Sequence, residues 1–348
     1  MTAIFYKARG KEVKMKILLI GGTGVISTDI SAQAVKKGIE LYLINRGNRS
    51  MYAPKEAICI QADIRNAMEV KKKTEGMHFD VVADFISFTP EQLMQSISLF
   101  RDKCNQYIFI SSATVYSRED QKTPIREDST PLTNVLWDYS RNKIACEMLL
   151  KKENDLYGLN YTIVRPYVTY GNTRIPFALI SGAQWTLVDR MLKGKPILMA
   201  NDGNAVCTLT RSSDFAKGFL PLCGNPKAYC ESYHITSDET FTWNAVAGMI
   251  GEAVGVKPKL VYLPIRDIAK GMPTTAYGDV YSLLTADKAT NWHFDNSKIK
   301  QVAPEFICTT PFSQGLRETI DFYRSHPEYR KVDQLWNEQI DQLIGEHL

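Results

Sequence analysis

Seven cysteines are scattered singly along the 348-residue chain, at positions 59, 104, 146, 207, 223, 230 and 308, and no two form a C-x-x-C pair. An odd, dispersed set excludes a disulfide framework and a zinc knuckle, and predicts reduced thiols in a cytoplasmic protein. Five histidines are equally dispersed, so no metal site is expected. No stretch approaches the ~18 uninterrupted apolar residues that a membrane span needs. The first fourteen residues carry positive charge but lack the apolar run and cleavage site of a secretory signal, and read as a loose extension. Charge is nearly balanced: 42 basic against 38 acidic residues give +4, with no basic stripe. The run Lys71-Lys72-Lys73 reads as a solvated helix face, so nucleic acid is not an expected partner. Internal repeats and low-complexity tracts are also missing.

Alternation is what the chain does have. From Met15, short apolar runs rich in β-branched residues alternate with amphipathic stretches: strands at 16–20, 41–45, 57–63, 79–87, 106–113 and 161–167, helices near 25–37, 65–75, 91–102 and 137–156. Six such strands with crossovers of this length predict an α/β fold, a Rossmann-type doubly wound parallel sheet binding its ligand at the carboxyl ends of the strands. After about residue 172 the rhythm changes. Residues 173–348 read as a smaller, mostly helical substrate-binding region that sends some elements back to the main sheet, following a dinucleotide-binding domain over 15–172. Within it, 171–195 reads as helices separated by loops, and 233–236 and 259–264 as isolated strands.

Directly after the first strand comes GGTGVIS (21–27). Glycines there let the turn tighten and the backbone approach a pyrophosphate, and the following helix N-terminus offers free N-H groups. Such a ligand would lie against Gly21, Thr23, Gly24, Val25 and Ile26. The second strand ends in Asn45-Arg46-Gly47-Asn48-Arg49, where an NAD-selective site usually carries an acid for the ribose hydroxyls. Asn45 stands in its place, and Arg46 and Arg49 are available to a 2′-phosphate, which favours NADP, with NAD as the alternative.

Tyr139 is the only tyrosine of the seventeen followed by a lysine at the fourth position, Lys143. On a helix the two share a face. Ser112 ends the preceding strand, twenty-seven residues earlier. Moving a hydride from a carbinol carbon requires its hydroxyl proton to leave as well, so a base is needed beside it. A phenol, ordinarily near ~10, serves only if nearby positive charge favours phenolate. Those roles fall on Tyr139 as base, Lys143 as the cation and Ser112 as the hydroxyl that holds the substrate oxygen.

GGTGVIS, with serine at the third place of GxxGxxG, SSATVYS (111–117), YSRNK (139–143) and RPYVTYG (165–171) together resemble the extended short-chain dehydrogenase/reductase family of the epimerase/dehydratase type, in motif its UDP-galactose 4-epimerases. The resemblance implies that Asp63 bonds the adenine, with Ile64 beside it, and that Phe85, Ile86, Ser87, Ser111 and Pro166 lie along the cofactor. Ala113 and Thr114 occupy the places where dehydratases carry Asp-Glu, which leaves epimerisation or simple oxidoreduction. On the substrate side the pattern departs from the family: Val168 replaces an asparagine and Cys207 an arginine that hold a nucleotide diphosphate in relatives. Arg174 and Arg211 are the substitutes available, with Thr114 a further substrate contact. The substrate is therefore expected to be a small molecule, a sugar or sugar nucleotide. The alternatives are an NADPH-dependent reductase of a carbonyl substrate, and a non-catalytic dinucleotide- or RNA-binding regulator. A homodimer through the helices beside the site is a further expectation. His234, on an apolar strand, reads as a satisfied core histidine, and Trp137 and Trp185 as packing residues.

Overall fold

A computed structural model describes residues 5–8, 11–119, 123–272, 274–275 and 278–347. Seven strands form the main sheet: β1 (Lys16–Ile20), β2 (Glu40–Asn45), β3 (Ile58–Gln61), β4 (Phe79–Asp84), β5 (Cys104–Ile110), β6 (Tyr161–Arg165) and β7 (Glu231–His234). Their order is β7-β6-β5-β4-β1-β2-β3, with every neighbouring pair parallel. The strand order reverses between β1 and β4, and that reversal opens the crevice in which a doubly wound sheet binds its ligand.

Continuous apolar runs form these strands because both faces are covered. In β1, Ile17 and Leu19 enter one core with Ile30 and Ala34 of helix α1 (Ser27–Lys36), while Leu18 and Ile20 enter the opposite core. That second core is closed by α2 (Ala67–Lys73), α3 (Pro90–Phe100) and α4 (Asp138–Tyr157), through Val70, Leu93, Ile97, Cys146 and Leu150. Thr89 caps α3 and Pro90 opens it; Gly158, at φ 68°, ends α4 in the left-handed conformation that glycine adopts freely.

Pro166 marks the place where the chain leaves the sheet. The sixth strand, expected to run to 167, stops at Arg165, because a proline has no N-H for the ladder. The chain resumes as a strand at Val168–Tyr170 in a separate sheet with Val206–Arg211 and Thr240–Thr242. A further parallel pair joins Ile197–Ala200 to Leu260–Leu263. Of the stretch 171–195, only Trp185–Leu192 is helical. β7 returns from the second half to the edge of the main sheet beside β6. Part of the expected N-terminal extension pairs as a two-stranded antiparallel ribbon, Phe5–Ala8 with Lys11–Lys14; residues 1–4 and 9–10 lie outside the described residues. Among the described residues no helix is long and apolar enough to cross a membrane, and none of their side chains cluster as a metal site.

Candidate dinucleotide and catalytic site

The crevice between β1 and β4 holds a cleft of ≈ 430 Å³ lined by Gly21, Thr23 and Gly24 from the glycine turn, by Asn45, Arg46 and Arg49 after β2, and by Asp63 and Ile64 after β3. Ile86, Ser87 and Phe88 close its inner end. Gly21 sits at φ 85°, and a Cβ there would come within 2.4 Å of the Ile86 side chain, so the close approach requires glycine. Ser27, which departs from the glycine pattern, braces the turn: its hydroxyl donates to Gly21 O at 2.6 Å and accepts from Gly24 N at 2.9 Å. Arg49 donates to Thr23 O at 2.8 Å and stacks on Tyr52, fixing the arginine to the loop.

Asn45 is the informative residue at the ribose position. Its Oδ1 accepts from Gly47 N at 2.9 Å, which leaves Nδ2, a donor, buried without a partner. A cradle that tolerates no Cβ and an orphaned donor beside two guanidiniums fit a dinucleotide in this cleft.

The candidate catalytic residues Ser112, Tyr139 and Lys143 meet at the other end. Ser112 follows β5, and its Oγ accepts from both Thr114 N (3.3 Å) and Thr114 Oγ1 (2.9 Å), which leaves its own proton free to face the Tyr139 phenol, whose pKa it pulls down. Tyr139 and Lys143 stand one turn apart on α4. Lys143 is fully buried, and its ammonium donates to Ser87 O (2.8 Å) and Ile110 O (2.7 Å) at the ends of β4 and β5, 5.8 Å from the Tyr139 ring centre. Burial draws the Lys143 ammonium down to about 8. Burial also raises the Tyr139 phenol; Ser112 and the charge of Arg174 pull it back, and Asp287 pushes it up.

Two buried networks hold these groups. Glu147, one turn beyond Lys143 on α4, grips Arg165 at the end of β6 through two bonds (2.9 and 2.6 Å) and accepts from Ser111 at 2.6 Å. Arg165 also donates to the Tyr116 hydroxyl (3.1 Å), which in turn lies 3.3 Å from Nδ1 of His234. Because His234 Nε2 lies 2.8 Å from the Asp295 carbonyl, Nε2 carries the proton and Nδ1 accepts from Tyr116. His234 is thus the satisfied core histidine expected. At the end of β4, Asp84 accepts from Ile86 N (2.9 Å), Ser87 N (3.0 Å) and Ser87 Oγ (2.6 Å), which shapes the turn that receives the Lys143 bond.

Several expected contacts are placed elsewhere. Ser111 is a support rather than a cofactor contact, because its hydroxyl is spent on Glu147. Phe85 turns to the opposite face and packs on Phe219. Val25 lines an adjoining recess with Asp29 and Ser212 that shares Gly24 and Arg49 with the cleft, and Ile26 sits where α1 begins. Pro166 contributes a carbonyl to Ala113 N at 2.8 Å, which positions the Ser112 turn. Thr114 holds Ser112. Arg211 is unavailable to a substrate: it bonds Gly315 O, Thr319 and Asn172 and pairs with Glu318, anchoring the helix Phe312–Ser325. Arg174 does reach the site, through its charge on Tyr139. Glu147, Asp84 and Phe88 were not anticipated. Only the acids at 84 and 147, each in an otherwise apolar or helical run, offered a signal.

A parallel sheet in this order, with a glycine turn at the reversal and a Ser-Tyr-Lys set across it, defines a nicotinamide-dinucleotide protein of the short-chain dehydrogenase/reductase kind. The chain belongs to the NAD dependent epimerase/dehydratase family, whose model matches residues 17–236. It is 28 % identical over 261 residues to the chloroplast stem-loop binding protein of 41 kDa b of Arabidopsis thaliana, covering 71 % of this chain and 65 % of that one. Over 176 residues it is 27 % identical to the UDP-glucose 4-epimerase of Lactobacillus helveticus, covering 45 % and 52 %. The chain therefore spans between half and two thirds of the length of these curated relatives. The fold matches an epimerase of Methanothermobacter thermautotrophicus (TM-score 0.75, 16 % identity, 91 % and 94 % covered) and the UDP-glucose 4-epimerase of Thermotoga maritima solved with UDP-glucose (TM-score 0.69, 18 % identity, 89 % and 99 % covered).

Two outcomes are expected of these networks. Glu147→Gln strands a buried guanidinium without its carboxylate and should cost about 3–5 kcal/mol, read from the urea midpoint; a loss below 1 kcal/mol would contradict the role given to the pair. Gly21→Ala forces a side chain into the left-handed region, costing about 1–3 kcal/mol, and should weaken dinucleotide binding in a fluorescence titration.

Proposed function

We propose that the protein is a nicotinamide-dependent sugar epimerase that transiently oxidises a secondary alcohol of its substrate. The convergence of Ser112, Tyr139 and the buried Lys143 ammonium, 5.8 Å from the Tyr139 ring centre at the cleft's end, carries this reading. When bound, the nicotinamide supplies the hydride acceptor and returns the hydride. Ser112 holds the substrate oxygen, oriented by Thr114. Tyr139 takes the hydroxyl proton and returns it after the sugar has turned. Lys143 holds positive charge beneath the phenol and favours phenolate, with Arg174 adding to it. The relatives named as UDP-glucose 4-epimerases support a sugar nucleotide as the substrate class.

NADP is the cofactor we favour. The ribose corner presents Asn45 Nδ2, Arg46 and Arg49, all donors, which suit a 2′-phosphate better than hydroxyls that need an acceptor. NAD remains the alternative, since solved neighbours include UDP-glucuronic acid 4-epimerase from Bacillus cereus with NAD. Unpaired thiols at all seven cysteines suit a cytoplasmic location. Exposed Met94 and Met148 on the adjoining helices α3 and α4 suit a homodimer.

Mass spectrometry of small molecules released from the purified protein tests the cofactor: NADP is expected, and NAD alone would overturn the preference. Tyr139→Phe should lower turnover about 10²–10⁴-fold with the cofactor still bound. The alkaline limb of the rate profile should centre near pH 8, because Lys143, drawn down to about 8, loses its charge as pH rises through that value. An epimerase shows no net change in reduced-nicotinamide absorbance during turnover; steady NADPH consumption with a ketone would instead make it a reductase. A second reading rests on the relative named as a stem-loop binding protein: an RNA-binding role on the same fold. Affinity for a stem-loop RNA, titrated against salt, decides it, and no binding at low salt removes it.

A further inference from the structure

Across the catalytic mouth from α4, the turn Leu284–Lys288 winds as a single π-helical turn, a form that recurs at functional sites. Four successive carbonyls of this turn each accept from a side chain of a different segment. Arg118 donates to Thr285 O (3.0 Å), Asn134 to Ala286 O (2.9 Å), the Trp292 indole to Asp287 O (2.6 Å) and the Trp243 indole to Lys288 O (2.9 Å). The backbone is fixed from outside, and Ala286 packs against Trp137 and Tyr139. Asp287 and Lys288, 4 % and 9 % exposed, form an ion pair at 2.7 Å.

This wall is also where unsatisfied polar atoms gather. Among the described residues six buried side-chain atoms lack a partner. One is Asn45 Nδ2 in the cofactor cleft, and another is the hydroxyl of Ser140, next to Tyr139. The other four are Asn134 Oδ1, Thr285 Oγ1, Tyr167 Oη and Asp287 Oδ1, the Tyr167 hydroxyl lying beside the Asp287 carboxylate without closing a bond of normal geometry. Thr285 and Asp287 belong to the π turn, Asn134 is bonded to it, and Tyr167 is closed over by Lys288 at 5.2 Å from its ring centre. A buried polar atom left unpaired is costly, so such a group on one wall is the mark of a site that a ligand completes. Lys288 pairs with Oδ2 of Asp287, which leaves Oδ1 with no hydrogen-bond donor from the described residues.

We propose that Asp287 and Tyr167 form a hydroxyl-recognising subsite. The carboxylate Oδ1 accepts from, and the Tyr167 phenol donates to, hydroxyls on ring carbons beside the carbon oxidised at Tyr139. The substrate class this selects is a polyhydroxylated ring with a free hydroxyl next to the reacting one. The inference rests on the epimerase reading above and names the groups that would orient its substrate.

The test uses full-length protein carrying its dinucleotide, with UDP-glucose, UDP-glucuronic acid and glucose 1-phosphate as probes, and monodeoxy analogues of whichever one reacts. Asp287→Asn should raise KM about 10-fold or more, the worth of a hydrogen bond to a charged group, and add nothing further on the analogue lacking the recognised hydroxyl. Tyr167→Phe removes a hydroxyl that lies beside the Asp287 carboxylate while keeping the ring that packs the wall, and KM should rise about 3–10-fold in a variant that still folds; this variant decides the matter if Asp287→Asn fails to fold. Unchanged KM in Tyr167→Phe, or equal losses on parent sugar and every deoxy analogue, overturns the subsite. So does the absence of turnover with every probe on protein that retains its dinucleotide. Failure to bind any dinucleotide instead overturns the epimerase reading.

Discussion

The bidentate pair between Arg165 and Glu147 is the constraint on which the site depends. It joins the end of β6 to the middle of α4, and through Ser111 it adds the end of β5. Those three elements carry Ser112, Tyr139 and Lys143. A buried ion pair contributes little net stability, because desolvating two charges costs roughly what their attraction returns. Its consequence here is geometric: the rotation of α4 about its axis is fixed one turn from Lys143, so phenol and ammonium cannot swing off the sheet edge without stranding a charge. The same guanidinium reaches Tyr116 and, through it, His234, so the edge strand β7 is tied into the arrangement.

Charge at the catalytic mouth is held in opposition. Burial works against the Lys143 ammonium and against the Tyr139 phenolate alike, and it wins at both: the lysine is drawn down to about 8 and the tyrosine is raised. The carbonyls of Ser87 and Ile110 offset part of the lysine's cost by accepting its protons. Asp287 adds a negative charge that disfavours phenolate, and Arg174 a positive one that favours it. The protein alone therefore holds Tyr139 as phenol at neutral pH, and the positive charge of an oxidised nicotinamide is the remaining contribution that would release its proton. On the reading proposed above, such an arrangement would leave Tyr139 a phenol until an oxidised cofactor is bound.

The dinucleotide half was legible in the sequence because its signals are local. A strand buried on both faces is an apolar run, a phosphate turn needs glycine where φ is positive, and a helix brings residues four apart onto one face. The substrate half was not, because its elements are made by distant partners. The strand Val168–Tyr170 exists only as the neighbour of Val206–Arg211. The helices expected over 171–195 gave way to irregular chain held by contacts such as Gln184 to Ile175 N. Arg211 looked free in sequence and proved to be spent on a helix a hundred residues on, while Asp287 sat in an unremarkable stretch and proved to lie on a turn that four side chains hold and that packs through Ala286 on Tyr139. No local pattern announces such a turn, since the donors that define it come from positions 118, 134, 243 and 292.

These departures share one direction. Where the resemblance would place an arginine for a nucleotide diphosphate stands Cys207, wholly buried and paired with Phe241 in its sheet, with no charge to offer. The nearest replacement, Arg211, is closed off by four partners. Arg174 is the arginine whose charge reaches the reacting phenol, and the Lys288 ammonium is neutralised by its neighbour. Cationic grip on a substrate diphosphate is thus weaker than the family pattern would supply, while polar atoms left open lie on and beside the turn that packs against Tyr139. Binding energy moved from a remote diphosphate to hydroxyls at the reacting ring is energy that can be directed at orientation, where a small misplacement costs rate. On the reading proposed above, that shift has the substrate chosen at the sugar rather than at its nucleotide handle.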